Sequence, residues 1–345
     1  MKILYGIQGT GHGHISRARE ILPSLKKYGS VDVMISGYAS KLDLDENIVH
    51  KKRGISLIYD RQGRVSIYET FRQLRMFEFW KDVLSLDLNG YDIVFSDFEP
   101  VASWAARRQE VPCVGISHQA AFISEKTPRP KKVSSSKELI LKYFAPSSTA
   151  MGIHFKRYDD FVYPPIIRSQ IRNLSSGSGN HITVYLPAFH DEVLVNFLKP
   201  YDQKVWEIFS PHCTEPYQKG HIHFFPVSND RFLESIAGAE GIMSSAGFET
   251  CSETMFLGKK LIAVPIGGQY EQLCNAAALE DMGVTVIYDL NAPGAGKKIE
   301  RWLDDDDIVK LTEIADVPQM IDDLLGGGMS ALLNEKPPVG RAIPA

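Results

Sequence analysis

His14 and Asp97 are the two side chains whose types and positions first suggest catalysis. His14 closes the run Gln8-Gly9-Thr10-Gly11-His12-Gly13-His14, directly after the apolar stretch Lys2–Ile7, and Asp97 follows the apolar stretch Tyr91–Ser96. If both stretches are parallel strands of one open sheet, their carboxyl ends line one crevice, and residues distant in sequence converge there. A His with a carboxylate behind it is a general base, because the acid fixes the imidazole tautomer and stabilises the imidazolium that forms. The plainer reading of such a His is a structural hydrogen bond. A second group of chemically able residues lies in Ser244–Ala277. Ser244, Ser245 and Gly247 precede a helical stretch, Phe248–Phe256, whose free backbone N–H groups and dipole would face an anion such as a diphosphate. Thr250 and Glu253, three apart, share one face of that helix, while Glu271 and Gln272 stand at the mouth of the next, beside Asn275. Two carboxylates, an amide and an anion cradle suit a nucleotide-sugar, whose hydroxyls donate to carboxylates. Acids in a first helical turn are also ordinary capping chemistry.

These residues need a scaffold. Lys2–Ile7, the glycines after it and the helical spacing of Ile15, Ala18, Ile21, Leu22 and Leu25 open a doubly wound α/β domain. The glycine spacing is G-x-G-x-G and no G-x-x-x-x-G-K follows, so it is a poor dinucleotide fingerprint and not a P-loop. Strands are expected at Val31–Ser36, Tyr91–Ser96 and Val111–Ser117, the last delivering His118 and Gln119. Lys51–Arg75 is basic and studded with Tyr59, Tyr68 and Phe71. It reads as a solvated face, or as a contact surface for an acidic acceptor or anionic lipid headgroups. Thr127–Lys137, rich in Pro, Ser and Lys, reads as a mobile loop. Pro164, Pro165 and the Ser175–Gly179 run read as a flexible linker. A second α/β unit then starts at His181–Leu186, with further strands at Trp206–Phe209, Ile222–Phe225, Gly241–Ser244, Leu261–Val264 and Thr285–Tyr288. Phe248, Cys251 and Met255 give its key helix an apolar face, Gly258 ends that helix, and Asp304–Asp307 reads as a helix start. The expected organisation is an N-terminal acceptor-side domain over 1–165, a linker over 166–180, a donor-side domain over 181–325 and a tail over 326–345.

A chain of 345 residues with 44% hydrophobic content can bury the cores of two domains. Its net charge of −4 gives no general attraction to nucleic acid. Cys113, Cys213, Cys251 and Cys274 show no C-x-x-C spacing, which fits a reducing cytoplasm. Met1–Gly6 is too short for a signal peptide and no apolar run is long enough to span a bilayer. His221 with His223 would share a strand face, yet no Cys, Asp or Glu stands beside the histidines at a ligand-like spacing, so no metal is expected.

Gly247, Glu253, Gly258, Pro265, Glu271-Gln272 and Asn275-Ala276 together resemble the donor-site motif of the GT-B glycosyltransferases. The likeness extends to the branch that makes the peptidoglycan lipid intermediate and to the plant-type UDP-sugar transferases. It implies two Rossmann-like, doubly wound parallel-sheet domains facing across a cleft. Glu253 would hold the ribose hydroxyls, and Glu271 and Gln272 those of the sugar. The plant-type motif carries a phosphate-binding His where this chain has Ser245. Gly9–His14 resembles the glycine-rich first loop of these enzymes, and Asp97, in Ser96-Asp97-Phe98-Glu99-Pro100, the acid that pairs with their His. The combination G-x-G-x-G-H, S-D-F-E-P and S-A-G-x-x-x-x-x-E is similar to a bacterial and archaeal group of such transferases over nearly the whole chain.

The resemblance implies metal-independent, inverting transfer from a nucleotide-sugar, a UDP-sugar first, to a hydroxyl acceptor. His14 would be the base and Asp97 its orienting partner. The diphosphate would be held near Ser245–Gly247 and by Gly11 and Gly13 of the first loop, with Thr250 alongside. Backbone near Val227–Asn229, centred on Ser228, would receive the base. No cofactor beyond the donor is expected and no nucleic-acid partner. A lipid-linked acceptor and a place at the inner face of the membrane are compatible with the basic stretch. The same fold also serves nucleotide-sugar 2-epimerases and could serve a non-catalytic nucleotide-sugar or headgroup binder.

Overall fold

The computed structural model describes residues 1–9, 12–37, 48–55 and 76–326. The apolar run after Met1 becomes β1 (Lys2–Gln8), in which only Lys2 is exposed. Burial on both faces is what a central parallel strand requires. β2 (Ser30–Ser36), β3 (Ile48–Lys52), β4 (Ile93–Asp97), β5 (Cys113–Ser117), β6 (Thr149–Ile153) and β7 (Val162–Tyr163) join it in one sheet of order β3-β2-β1-β4-β5-β6-β7. Every neighbouring pair in it is parallel.

The second sheet repeats the plan. It contains β8 (His181–Tyr185), β9 (Val205–Ser210), β10 (Tyr217–Lys219), β11 (Ile222–Pro226), β12 (Gly241–Ser244), β13 (Lys260–Ala263) and β14 (Thr285–Val286). Their order is β10-β11-β9-β8-β12-β13-β14, with only β10 antiparallel to its neighbour. Strand order therefore reverses between β1 and β4 in one lobe and between β8 and β12 in the other. Crevices open at the carboxyl ends of strands at such reversals, and these two face each other.

One apolar core runs through both lobes. It takes Ile3, Tyr5 and Ile7 from β1 and Phe248, Cys251 and Met255 from the helix Phe248–Phe256. Full burial of an Ile, Phe or Met side chain of this kind contributes about 1.5–3 kcal/mol. The helix Val317–Leu325 returns to the first lobe. Its Val317, Met320, Ile321 and Leu325 join the same core as Ile15, Ala18 and Leu22 of the helix His12–Leu25. Tyr28 Oη donates to Asp322 Oδ1 at 2.6 Å beside this contact. No helix among the described residues is long and apolar enough to cross a membrane.

Several expectations change. Ser175–Gly179 does not swing free: Gly177 N and Gly179 N donate to Ala237 O and Gly238 O. The buried ammonium of Lys259 gathers the carbonyls of Gly177, Ala237 and Ala239. Asp304–Asp307 is not a helix start; Asp304 ends the helix Ala295–Asp304. The end of Thr127–Lys137 is already helical, since the helix Ser135–Tyr143 begins there. Arg129 fixes what precedes it, donating to Thr127 O and Phe122 O at 2.7 Å. Most of the basic stretch Lys51–Arg75 lies outside the described residues, as does Gly11.

Candidate active site

The cleft between the lobes encloses a cavity of ≈ 360 Å³. On its first-lobe side stands His14, in the first turn of the helix His12–Leu25. Asp97 ends β4, whose partner across the strand-order reversal is β1. The two meet as the strand order requires: His14 Nδ1 lies 2.7 Å from Asp97 Oδ1. Asp97 is fully buried. Burial alone would push its carboxyl up, but the guanidinium of Arg17 and the His14 ring hold it below the usual carboxylate range.

Arg17 is the residue that sequence reading missed. Its Nε and Nη2 donate to Asp97 Oδ2 and Oδ1 at 2.8 Å each, a bidentate clamp. Its Nη1 crosses the cleft to donate to Glu249 Oε1 at 2.7 Å. The sequence showed only its place three residues after His14 on one helix face, not its distant partners. The clamp also assigns the His14 tautomer. An ionised Asp97 only accepts, so its 2.7 Å contact favours the tautomer with the proton on His14 Nδ1 and the lone pair on Nε2, although Arg17 Nη2, a donor, also lies 3.1 Å from Nδ1. Gly13 admits this junction, because a Cβ there would sit 2.5 Å from Glu249 Cδ.

On the opposite side, β12 ends at Ser244 and the helix Phe248–Phe256 starts from Gly247 without a side-chain cap. Its first-turn N–H groups are therefore open toward the cleft, which Ser245, Gly247, Thr250 and Glu253 line. Glu253 is not unengaged. Arg168 Nε and Nη2 donate to its two oxygens at 2.5 and 3.0 Å, and Arg168 Nη1 donates to Asn229 Oδ1 at 3.0 Å. Burial pushes the Glu253 carboxyl up, against the lowering by Arg168.

Glu271 and Gln272 line the same cavity, near the start of the helix Tyr270–Asp281. Gln119 Nε2 donates to Glu271 Oε2 at 3.0 Å, joining the lobes. Gln272 Oε1 accepts from Ile266 N at 2.9 Å, which leaves its amide N–H₂ group for the cleft. Asn275 is structural: it is fully buried, lies 2.8 Å from His118 Nε2 through Oδ1 and donates to Ala246 O. The His118 ring stacks on Phe248 at 4.0 Å.

The structure thus brings together His14, Asp97, Gly13, Ser245, Gly247, Thr250, Glu253, Glu271 and Gln272. Ser228 is a correction. It is an exposed residue ahead of the helix Asn229–Gly238 and does not line the cavity; its neighbour Asn229 reaches the cluster, through Arg168. Among the described residues no group of three or more His, Cys, Asp or Glu is placed to hold a metal. The cleft thus sets a carboxylate-paired imidazole opposite a helix N-terminus without a side-chain cap.

A family model described as glycosyl transferase family 1 matches residues 1–302. No curated protein sequence matches. Solved structures do, at low identity. The spinosyn forosaminyltransferase SpnP is 11% identical with a TM-score of 0.58, over 97% of this chain and 100% of its own. Acinetobacter baumannii MurG is 16% identical with a TM-score of 0.56, over 94% of this chain and 99% of its own. Arabidopsis thaliana UGT89C1, complexed with UDP, is 11% identical with a TM-score of 0.57, over 97% and 96%. The shared architecture is GT-B.

Proposed function

The chain belongs to glycosyl transferase family 1, and on that premise we propose that it moves a sugar from a UDP-sugar to a hydroxyl acceptor, with inversion and without a metal. The observation that carries this reading is the 2.7 Å contact between His14 Nδ1 and the buried Asp97, in a cleft whose other wall is the open start of the helix Phe248–Phe256. The UDP held by the similar UGT89C1 supports that choice of nucleotide.

In the reaction, the His14 Nε2 lone pair takes the acceptor hydroxyl proton as that oxygen attacks the anomeric carbon. The bond to the diphosphate oxygen breaks on the opposite side, which inverts the centre. Asp97, kept ionised by Arg17, stabilises the imidazolium formed. The departing diphosphate gathers negative charge, which N–H groups near Ser245–Gly247 and the helix dipole stabilise in place of a metal. Thr250 lies beside the phosphates. Glu253 accepts from the ribose, because each carboxylate oxygen has a second lone pair beyond the one that Arg168 uses. Glu271 and Gln272 orient the sugar hydroxyls. All four cysteines are free and buried, which supports a reducing, cytoplasmic setting.

The test combines thermal shift against UDP-, GDP- and TDP-sugars with the variant His14→Ala. The wild type should be stabilised most by a UDP-sugar. His14→Ala should keep that stabilisation and lose transfer turnover by about 10²–10⁴-fold. Undiminished turnover would remove the base assignment.

A further inference from the structure

A second cavity, of ≈ 350 Å³, lies in the first lobe against the sheet face that carries Cys113. Cys113, Gly115 and Ser117 alternate along β5 and form its floor together with Ser96 of β4. These side chains are small, so the sheet does not fill the space above it. The roof is the helix Ser135–Tyr143, through Leu141 and Tyr143. None of that helix's residues is buried, and Leu139 and Tyr143 are 56% and 51% exposed. Interiors are normally close-packed. A void of this size, between a floor of small residues and a helix with no fully buried residue, matches a ligand pocket of about 300–1,000 Å³.

Two features say what would fill it. Phe98 lines both this cavity and the cleft, and its ring packs at 4.8 Å against Phe144, which also lines the cleft. Phe98 is thus shared by the cavity and the catalytic cleft. Phe98 adopts φ +52°, a conformation uncommon for a bulky side chain. Arg107 and Lys142 also line the cavity and are exposed. Among the described residues they lie over the rings of Trp104 and Tyr143, at 5.4 and 5.7 Å, and neither faces a carboxylate. Two such cations at an apolar cavity are complementary to one anionic group.

We infer that this cavity receives the body of the acceptor: an elongated apolar alcohol with an anionic far end, its hydroxyl passing Phe98 to reach His14 and its anion held by Arg107 and Lys142. The inference rests on the transferase reading above and adds the acceptor's chemical class. Carboxylate and phosphate would satisfy the cations alike.

The experiment titrates the full chain with the fluorescent probe 11-(dansylamino)undecanoic acid. It then displaces the probe with 12-hydroxydodecanoate or with dodecyl phosphate, and measures UDP affinity in parallel. The wild type should bind the probe and release it to either competitor; the stronger competitor identifies the anion. Arg107→Glu combined with Lys142→Glu changes only exposed positions and should weaken the probe at least tenfold with UDP affinity unchanged. Gly115→Leu should block the probe by filling the floor. A Cβ there meets Ser147 Oγ at 2.7 Å, so the charge-reversal pair decides the matter if this variant does not fold. UDP binding without probe binding, or probe affinity unaltered in the charge-reversal pair, would overturn the inference. Absence of nucleotide binding to the wild type would instead sink the transferase reading, and the acceptor role with it.

Discussion

The helices after β4 and β12 begin at equivalent places, each one strand past the point where its sheet reverses order, yet they close their first turns in opposite ways. The helix Pro100–Gln109 is plugged by its own chain. Glu99 accepts from Val101 N at 2.8 Å, Ala102 N at 2.6 Å and Ser36 Oγ at 2.5 Å. The helix Phe248–Phe256 starts from Gly247 with no side chain over its N–H groups. One fold position is therefore used twice. In the first lobe a carboxyl group is built in and buried, and in the second no side chain takes that place. The first lobe's own polar chemistry is displaced to Asp97, two residues before Glu99, where it meets His14 and Arg17.

The sharpest way to break this contrast is to plug the open helix. Gly247 has φ −71° and ψ 135°, ordinary extended backbone, so Gly247→Asp fits without strain. The new carboxylate should cap the first turn and add a few tenths of a kcal/mol of stability. It should also repel a diphosphate and cost on the order of 2 kcal/mol of UDP affinity, read by calorimetry. Unchanged affinity would take this helix out of the donor site.

Glu99 sharpens the other half of the contrast. Burial outweighs its hydrogen bonds and pushes its carboxyl up to about 7. Between the unfolded value near 4.5 and that figure, the folded chain keeps a proton that the unfolded chain has lost. Stability from this group should therefore fall as pH rises through that window, by up to about 3 kcal/mol, and level off above it. Glu99→Gln should abolish the fall in urea melts taken from pH 5 to pH 8. An unaltered slope would show that the plug is ionised throughout.

The smallest effect is expected at the bridge between the two halves. The Glu249 side chain is 33% exposed in its pair with Arg17. Glu249→Gln should lower stability by less than about 1 kcal/mol and weaken the salt dependence of melting. A larger loss would mean that the lobes lean on this pair.

Ser244–Ala277 was the most legible part of the chain. Gly247 and Gly258 punctuate it, and the helix Phe248–Phe256 fell where the glycines put it, with Phe248, Cys251 and Met255 buried. The meeting of His14 with Asp97 was also readable, because strand order brings the ends of β1 and β4 together. Arg17, Glu249 and Arg168 were not. Their partners are 80, 232 and 85 residues away, and such pairs form only once the lobes and helices have docked. Composition misled at Ser175–Gly179, where small residues suggested slack. The ordering comes from backbone hydrogen bonds of Gly177 and Gly179 to Ala237 and Gly238, together with the distant Lys259, which draws in the Gly177 carbonyl. It misled again at Asp304–Asp307, because glycines within Gly294–Lys298 hid the helix that those acids terminate.

The return of Val317–Leu325 to the helix His12–Leu25 has a consequence for biosynthesis. The hydrophobic stripe of Ile15, Ala18 and Leu22 is covered by residues translated some three hundred codons later. While the ribosome is still decoding the second lobe, the amino-terminal lobe lacks part of its apolar cover and is open to wrong contacts. Maturation of the nascent polypeptide thus waits for a helix translated after every strand of the second sheet.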